Sequence, residues 1–367
     1  MRSVLWGVAS LLVFSAAACS SDGNDKPTDE TVKAAWVYVG PIGDHGWSYE
    51  HNQGRLNVIA NVADVETMYV ENVSEDNAEP AIQGLVDKGA DIVFTTSFGY
   101  MDATTSAAGK NPKAYFEHCS GFKTATNLSN YFGRMYQVLY LAGMVAGRAT
   151  TSNKIGVPAA WPISEVIRHI NAFTLGARSV NPKVEVHVKW LNSWYDPPSE
   201  EKLTNELLDL GVDVVLQTTD STAVVLAAKA RGAKAVGYQS DMLSFAPDTV
   251  LTSGVWQWGA YYAERVKAVK EAKWTSQSHM GSIGDGIVKL GGYGSMVQAP
   301  VRAEVAEKRG LIEGAKWDVF HGEVLKQDGT SWIGKGDSMT DDEMLSMREF
   351  VQGVVGEIPK TCGICGP

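Results

Sequence analysis

Short apolar runs alternate with amphipathic stretches along most of this chain, at the spacing expected of parallel strands joined by helices. Ala35–Val39 (AWVYV) is a run of β-formers, broken by Gly40, Pro41, Ile42, Gly43 and Asp44, and helical character follows from Trp47 to Val62. Glu66–Val70, Asp91–Thr95 and Lys113–Glu117 read as further strands, with helices over residues 79–88 and 103–109. Tyr131–Arg148 is a long apolar stretch with several glycines and reads as one helix suited to packing against other helices. A second series then begins. Strands are expected at 154–157, 184–190, 212–217, 234–238 and 250–256, and helices at 163–179, 200–210, 223–230 and 261–272. The glycine-rich stretch Gly281–Gly294 reads as a hairpin or edge segment, followed by a charged amphipathic helix over 301–314. A closing hairpin is expected from 317–320 and 329–332, and a last helix over 340–354, opened by a capping box of Thr340 and Glu343.

Two βα series of similar length predict an α/β protein of two lobes, each a doubly wound parallel sheet, with a ligand cleft between them. The expected division is 31–123 plus about 255–367 for the first lobe and 124–254 for the second. The length of 367 residues agrees with two domains.

The first residues follow a different pattern. A short basic start (Met1, Arg2, Ser3) precedes an apolar run from Val4 to Phe14, too short to span a bilayer. Ser15, Ala16, Ala17 and Ala18 then lead into Cys19, which resembles a bacterial lipobox, although Ala16 stands where leucine is commoner. That resemblance implies cleavage after residue 18 and acylation of Cys19; an ordinary signal peptide cut after Ala18 is the alternative. The polar stretch that follows, over 19–30, is expected to be a flexible tether. A net charge of −10 and a pI near 5.3 argue against nucleic acid as a partner. Four cysteines are too few to hold such a fold together, and Cys362 and Cys365 read as a local disulfide with no assigned function.

Candidate chemistry gathers where strands run into loops. After the first strand stand Asp44, Trp47 and Ser48: a carboxylate, an indole for stacking and a hydroxyl. The plainer reading makes Asp44 a turn residue and Trp47 core. Tyr100 follows the third strand and is expected on the floor of the cleft, and His118 ends the fourth, where a structural role competes with ligand contact. There is no GxxxxGK[ST] or GxSxG pattern and no clustered metal-ligand spacing, so no cofactor or metal is expected.

The segments GPIGDHGWSYEHNQG, FTTSFGYMDAT, LNSWYDPPSE, TTDST with QSDM, and FAPDTVLTSGV together resemble the basic membrane protein family of substrate-binding lipoproteins of ABC importers, from about Thr31 to Pro359. The resemblance implies a type I periplasmic-binding fold, a purine ligand, a permease partner and a monomer tethered to the membrane through Cys19. It implies that Trp47 and Trp194 face the two sides of a purine, and that Asp220, Ser221, Gln239 and Asp241 meet its edge. Nucleoside receptors of the family carry a sugar-contacting lysine where Trp256 stands here, which favours a free base such as adenine. Trp256 and Trp258 as hinge core is the competing reading. Other readings are a nucleoside receptor, a surface sensor, or, in a different class, a purine-processing enzyme.

Overall fold

The computed structural model describes residues 31–360. The expectations for Cys19, the signal and tether, and for Cys362 and Cys365, lie outside the described residues.

Two sheets carry the fold. The first is built from β1 (Val32–Val37), β2 (Val65–Val70), β3 (Ile92–Thr95), β4 (Tyr115–Cys119), β5 (Leu128–Gly133) and β11 (Ser278–Gly281), in the order β11-β5-β4-β3-β1-β2, all parallel. The second contains β6 (Lys154–Ala159), β7 (Glu185–Trp190), β8 (Val214–Leu216), β9 (Lys234–Gly237), β10 (Val250–Trp256), β12 (Val288–Leu290) and β15 (Val354–Val355), in the order β12-β10-β9-β8-β6-β7-β15. Only β12 runs antiparallel to its neighbour. The inner strands β1, β3, β4, β5, β6, β8, β9 and β10 are almost wholly buried, as strands covered on both faces must be, while β2 at the edge of the first sheet has no buried residue.

Helices α1 (Trp47–Asn61), α2 (Ala78–Asp87), α3 (Met101–Lys110) and α8 (Gly259–Lys270) cover the first sheet, with α8 against α1. Helices α4 (Met135–Ala149), α5 (Ser164–Val180), α6 (Pro197–Asp209), α7 (Ala223–Ala230), α9 (Ala299–Glu313) and α10 (Asp341–Leu345) belong to the second. The glycines of the α4 stretch have a physical reason. A Cβ on Gly147 would stand 2.9 Å from the Ala177 Cα, and one on Gly176 of α5 would stand 2.8 Å from the Tyr140 carbonyl carbon, so the two backbones can touch only through glycine.

Several expectations change. Tyr131–Arg148 is not one helix: Leu128–Gly133 is the strand β5, and α4 starts at Met135, because the apolar run crosses from one lobe into the other at Gly133–Arg134. For Gly281–Gly294 the edge-segment reading holds and the hairpin does not, since β11 edges the first sheet and β12 the second. The last helix is only Asp341–Leu345, although its capping box is present: Glu343 N donates to Thr340 Oγ1 at 3.3 Å and Thr340 N to Glu343 Oε2 at 2.8 Å. The closing hairpin pairs β13 (Val324–Leu325) with β14 (Ser331–Ile333), and Trp317–Phe320 lies outside it.

Sheet membership also divides the chain differently from the expected lobe boundaries. Residues 128–133 belong to the first sheet, while β10, β12 and β15 put most of the chain after 288 with the second. Within the described residues the chain therefore crosses three times, at 133–135, 256–259 and 281–288.

Candidate functional site

The carboxyl ends of both sheets face each other, and the loops that follow the strands enclose a cavity with about 310 Å³ of empty volume. Val39 and Trp47 reach it from the loop after β1, Ser97 and Phe98 from the end of β3, and Ser120 from the end of β4. The second lobe supplies Glu165 after β6, Trp194 after β7, Asp220 after β8 and Gln239 after β9.

The first-lobe loop is held by its own polar groups. Asp44 Oδ1 accepts from Gly46 N at 2.7 Å and Tyr49 N at 2.9 Å, and Oδ2 from Ser48 N at 3.0 Å. These are amides that the first turn of a helix leaves unbonded. Ser48 Oγ accepts from Gly40 N at 3.0 Å and so closes the other side of the loop. Neither Asp44 nor Ser48 lines the cavity; both act on the backbone that aims Trp47 into it. The Trp47 indole donates from Nε1 to Thr96 O at 2.5 Å and stands edge-on to Trp256 and Trp258, with centroids 5.6 and 5.7 Å away.

In the second lobe, Asp196 caps α6 by accepting from Ser199 N at 3.2 Å, which fixes the turn after Trp194. Asp220 N donates to Trp194 O at 2.9 Å and ties two cavity loops together. Gln239 Nε2 donates to Asp220 Oδ1 at 2.7 Å, and Trp256 Nε1 donates to Gln239 Oε1 at 2.6 Å. Trp256 is thus a layer behind the wall. It is fully buried, stacked on Trp258 at 4.6 Å, and orients Gln239, which orients Asp220. The expected place for Trp256 beside the ligand is corrected: β10 buries its indole in the aromatic core between the lobes.

Four other expected positions also lie away from the cavity. Tyr100 is fully buried, with its hydroxyl donating to Val73 O at 2.5 Å. His118 donates from Nε2 to Ser97 O at 2.9 Å; burial lowers its pKa to about 4, so it is neutral and supports the Ser97 loop from behind. Ser221 Oγ donates to Glu200 Oε2 at 2.7 Å, beneath the TTDST turn. Asp241 is exposed, accepting from Leu243 N at 3.1 Å and Gly292 N at 3.0 Å. Each has a short polar side chain close to unpaired loop amides, or a ring between sheet and helix, and local bonding takes it.

Of the expected residues, Trp47, Trp194, Asp220 and Gln239 meet at the cavity. Val39, Ser97, Phe98, Ser120 and Glu165 were not anticipated. The available signal was topological: all five follow strand ends, as the anticipated residues do.

Acids dominate the electrostatics. Burial raises the pKa of Asp220 well above the usual carboxylate range, and Asp44, Glu200 and Glu165 add to the effect. Burial also lifts Asp44 to about 6 against the pull of its amide bonds. Glu165 is raised by burial and opposed by Ser120 and Arg168. No Lys, Arg or His side chain lines the cavity among the described residues. Nor do those residues contain a group of His, Cys, Asp and Glu side chains that could hold a metal ion, or a helix long and apolar enough to cross a membrane.

The lobes are closed on each other. Ser120 Oγ donates to Glu165 Oε2 at 2.7 Å, Ser240 Oγ donates to His45 O, and His45 meets Phe245 with ring centroids 4.9 Å apart. Gly46 lies against the Asp220 backbone.

Residues 31–313 match the family profile of the Bmp, PnrA-like substrate-binding proteins of ABC transporters. The chain belongs to this Bmp family. It is 41% identical to a purine-binding protein of Brucella abortus, over 92% of this chain and 97% of that one. It is also 38% identical to a putative ABC transporter glucose-binding protein of Haloferax volcanii, over 93% of this chain and 84% of the other. Among solved structures, an ABC transporter solute-binding protein from Aeropyrum pernix superposes with a TM-score of 0.67 at 17% identity, covering 78% of this chain and 92% of that one. The two-lobed type I fold is therefore that of periplasmic solute-binding proteins, and the Bmp family makes this chain the substrate-binding component of an ABC transporter.

Proposed function

We propose that this Bmp-family protein captures a purine free base of the adenine class outside the cytoplasm and delivers it to an ABC permease, as a monomer held to the membrane by lipid on Cys19. One observation carries the ligand: the polar atoms of the cavity that no protein group engages. Among the described residues, Asp220 Oδ2 and Glu165 Oε1 have no protein donor, and Trp194 Nε1 is buried without an acceptor. The other cavity donors are bonded within the protein: Trp47 to Thr96, Ser97 to Glu75, Ser120 to Glu165 and Gln239 to Asp220. The cavity therefore asks for a flat molecule with at least two N–H donors and one acceptor, set among Trp47, Trp194 and Phe98. Adenine offers its exocyclic amine, a ring N–H and unprotonated ring nitrogens. Aromatic stacking adds on the order of 1–3 kcal/mol per base.

The purine-binding name of the Brucella relative supports this reading, and the glucose-binding name of the Haloferax relative supplies the competitor. Isothermal titration of the mature protein against adenine, hypoxanthine, guanine, xanthine, adenosine and glucose tests it. Adenine is expected to bind tightest and adenosine more weakly. Tight adenosine binding would overturn the free-base part, and heat from glucose alone would overturn the purine. The anchor is tested by Cys19→Ala, which is expected to move the protein from the membrane to the soluble fraction.

A further inference from the structure

We propose that Glu165, steadied across the cleft by Ser120, distinguishes a free base from its N9-substituted relatives by accepting a ring N–H that a nucleoside lacks. The inference rests on the purine reading above. It names a specificity-determining residue that faces the ligand only when the lobes are closed.

Glu165 lies in the first turn of α5, just after β6, and Asp220 follows β8. These two strands are neighbours in the sheet, so the carboxylates stand at adjacent strand ends, where strands lie about 4.8 Å apart. Asp220 is braced by Gln239 from within its own lobe. Glu165 is braced from the other lobe, by Ser120 Oγ on Oε2 at 2.7 Å, which leaves Oε1 without a protein donor in a residue that lines the cavity and the wider cleft beside it.

Two further features mark the clasp as built. Ser120 holds φ at +70°, a left-handed conformation that residues other than glycine seldom adopt and that persists where surrounding structure enforces it, often at ligand clamps. One turn along α5, Arg168 is 2% exposed, donates from Nη1 to Met344 O, and has no carboxylate within ion-pair distance among the described residues. Burial raises the Glu165 pKa, and the Ser120 hydrogen bond and the Arg168 charge both act against it, toward the ionised form that accepts only. A ring with donors on two edges satisfies both carboxylates. Replacing the N9 hydrogen by a carbon leaves one buried carboxylate oxygen without a partner, a loss that hydrogen-bonding sites turn into strong discrimination.

The test is titration of wild type, Glu165→Gln and Ser120→Ala with adenine and 9-methyladenine, which differ only at the N9 hydrogen. Wild type is expected to prefer adenine by at least about tenfold. In Glu165→Gln the amide oxygen keeps the Ser120 hydrogen bond and the NH2 takes the place of Oε1, so a donor meets the ring N–H; adenine affinity should fall roughly 10- to 100-fold while 9-methyladenine stays within about twofold, collapsing the preference. Ser120→Ala keeps the carboxylate but releases it, and should reduce the preference only partly. A purely structural Glu165 would weaken both ligands alike, and that result would overturn the assignment. Equal affinity of wild type for the two ligands would overturn it too, while leaving the purine reading intact. If wild type binds no purine, the purine reading fails first and takes this assignment with it. Thermal melts of the variants separate misfolding from lost recognition, and Ser120→Ala, a half-buried position, carries the test if Glu165→Gln does not fold.

Discussion

The two walls of the cleft come from lobes of the same architecture, yet they present opposite chemistry. In the first-lobe wall the polar groups are bonded inward: Trp47 to Thr96 O, Ser97 to Glu75, and Asp44 to three amides of its own loop. What faces the cavity is mainly Val39, Trp47 and Phe98. The second-lobe wall keeps Asp220 Oδ2, Glu165 Oε1 and Trp194 Nε1 unengaged by protein among the described residues. On the purine reading, one lobe is a stacking platform and the other holds the hydrogen-bonding code. Neither is a site alone, so affinity depends on closure, in which ligand stabilises the closed state by its differential affinity.

The most damaging change to this arrangement leaves every ligand-facing group in place. Gly46 is where the first-lobe loop meets the second lobe, and a Cβ there would stand 2.6 Å from the Asp220 carbonyl carbon. Gly46→Ala is therefore expected to prop the cleft open and lower purine affinity at least about 100-fold, because a closed-state contact below van der Waals distance must be relieved. Titration reads the affinity, and solution scattering with saturating ligand should report a larger radius of gyration than wild type. A variant that binds and compacts normally would mean that the walls can meet without this approach.

The two indoles sharpen the comparison further. Trp194 is half-buried, and its truncation should cost ligand affinity alone, on the order of 1–3 kcal/mol or about 10- to 100-fold. Trp47 is 7% exposed and packed against His51, Trp256 and Trp258, so Trp47→Ala should lose similar affinity and also roughly 3–5 kcal/mol of stability. Urea unfolding beside titration separates the two. If both variants lose stability equally, the first lobe is not the more rigid platform.

The sequence made the strand ends legible, and with them Trp47, Trp194, Asp220 and Gln239, because a β-run broken by a polar turn places its last residues at the sheet's carboxyl edge. It did not separate ligand-facing acids from turn-forming ones. Asp44, Ser221 and Asp241 have the side chains that bind ligands and also the ones that satisfy loop amides, and only the fold decides which occurs. Glu165 looks like any acid in a first helical turn until Ser120 arrives from the other lobe. Trp256 follows the competing hinge-core reading, because a residue at a cleft-facing position in sequence is, in space, one layer back under Gln239. Leu128–Gly133 merged with α4 because an apolar run does not report where its period changes.

The smallest expected effect is on pH, and it tests whether the acidity belongs to the closed cleft. Asp44 faces Asp220 across the cleft, with Glu50 beside it on α1 and Lys289 of β12 acting on Glu50 from the other lobe. Burial raises Asp44 from its ordinary 3.8 to about 6, which corresponds to roughly 3 kcal/mol as an upper bound. A raised carboxyl pKa means that the compact form holds more protons. Its contribution is therefore fully present below about 3.8 and lost as pH rises through about 6. The amide bonds to Asp44 come from its own loop and survive opening, so only the desolvation and the repulsion from Asp220 change with closure. Without ligand, the protein should open as pH rises from about 4 to about 7, seen as a modest increase in radius of gyration by solution scattering. With a ligand whose N–H groups meet the second-lobe carboxylates, that increase should shrink, because the donors stabilise the ionised acids. A radius independent of pH in the empty protein would show that these acids are equally buried in the open form, and the contrast between the two walls would then owe nothing to closure.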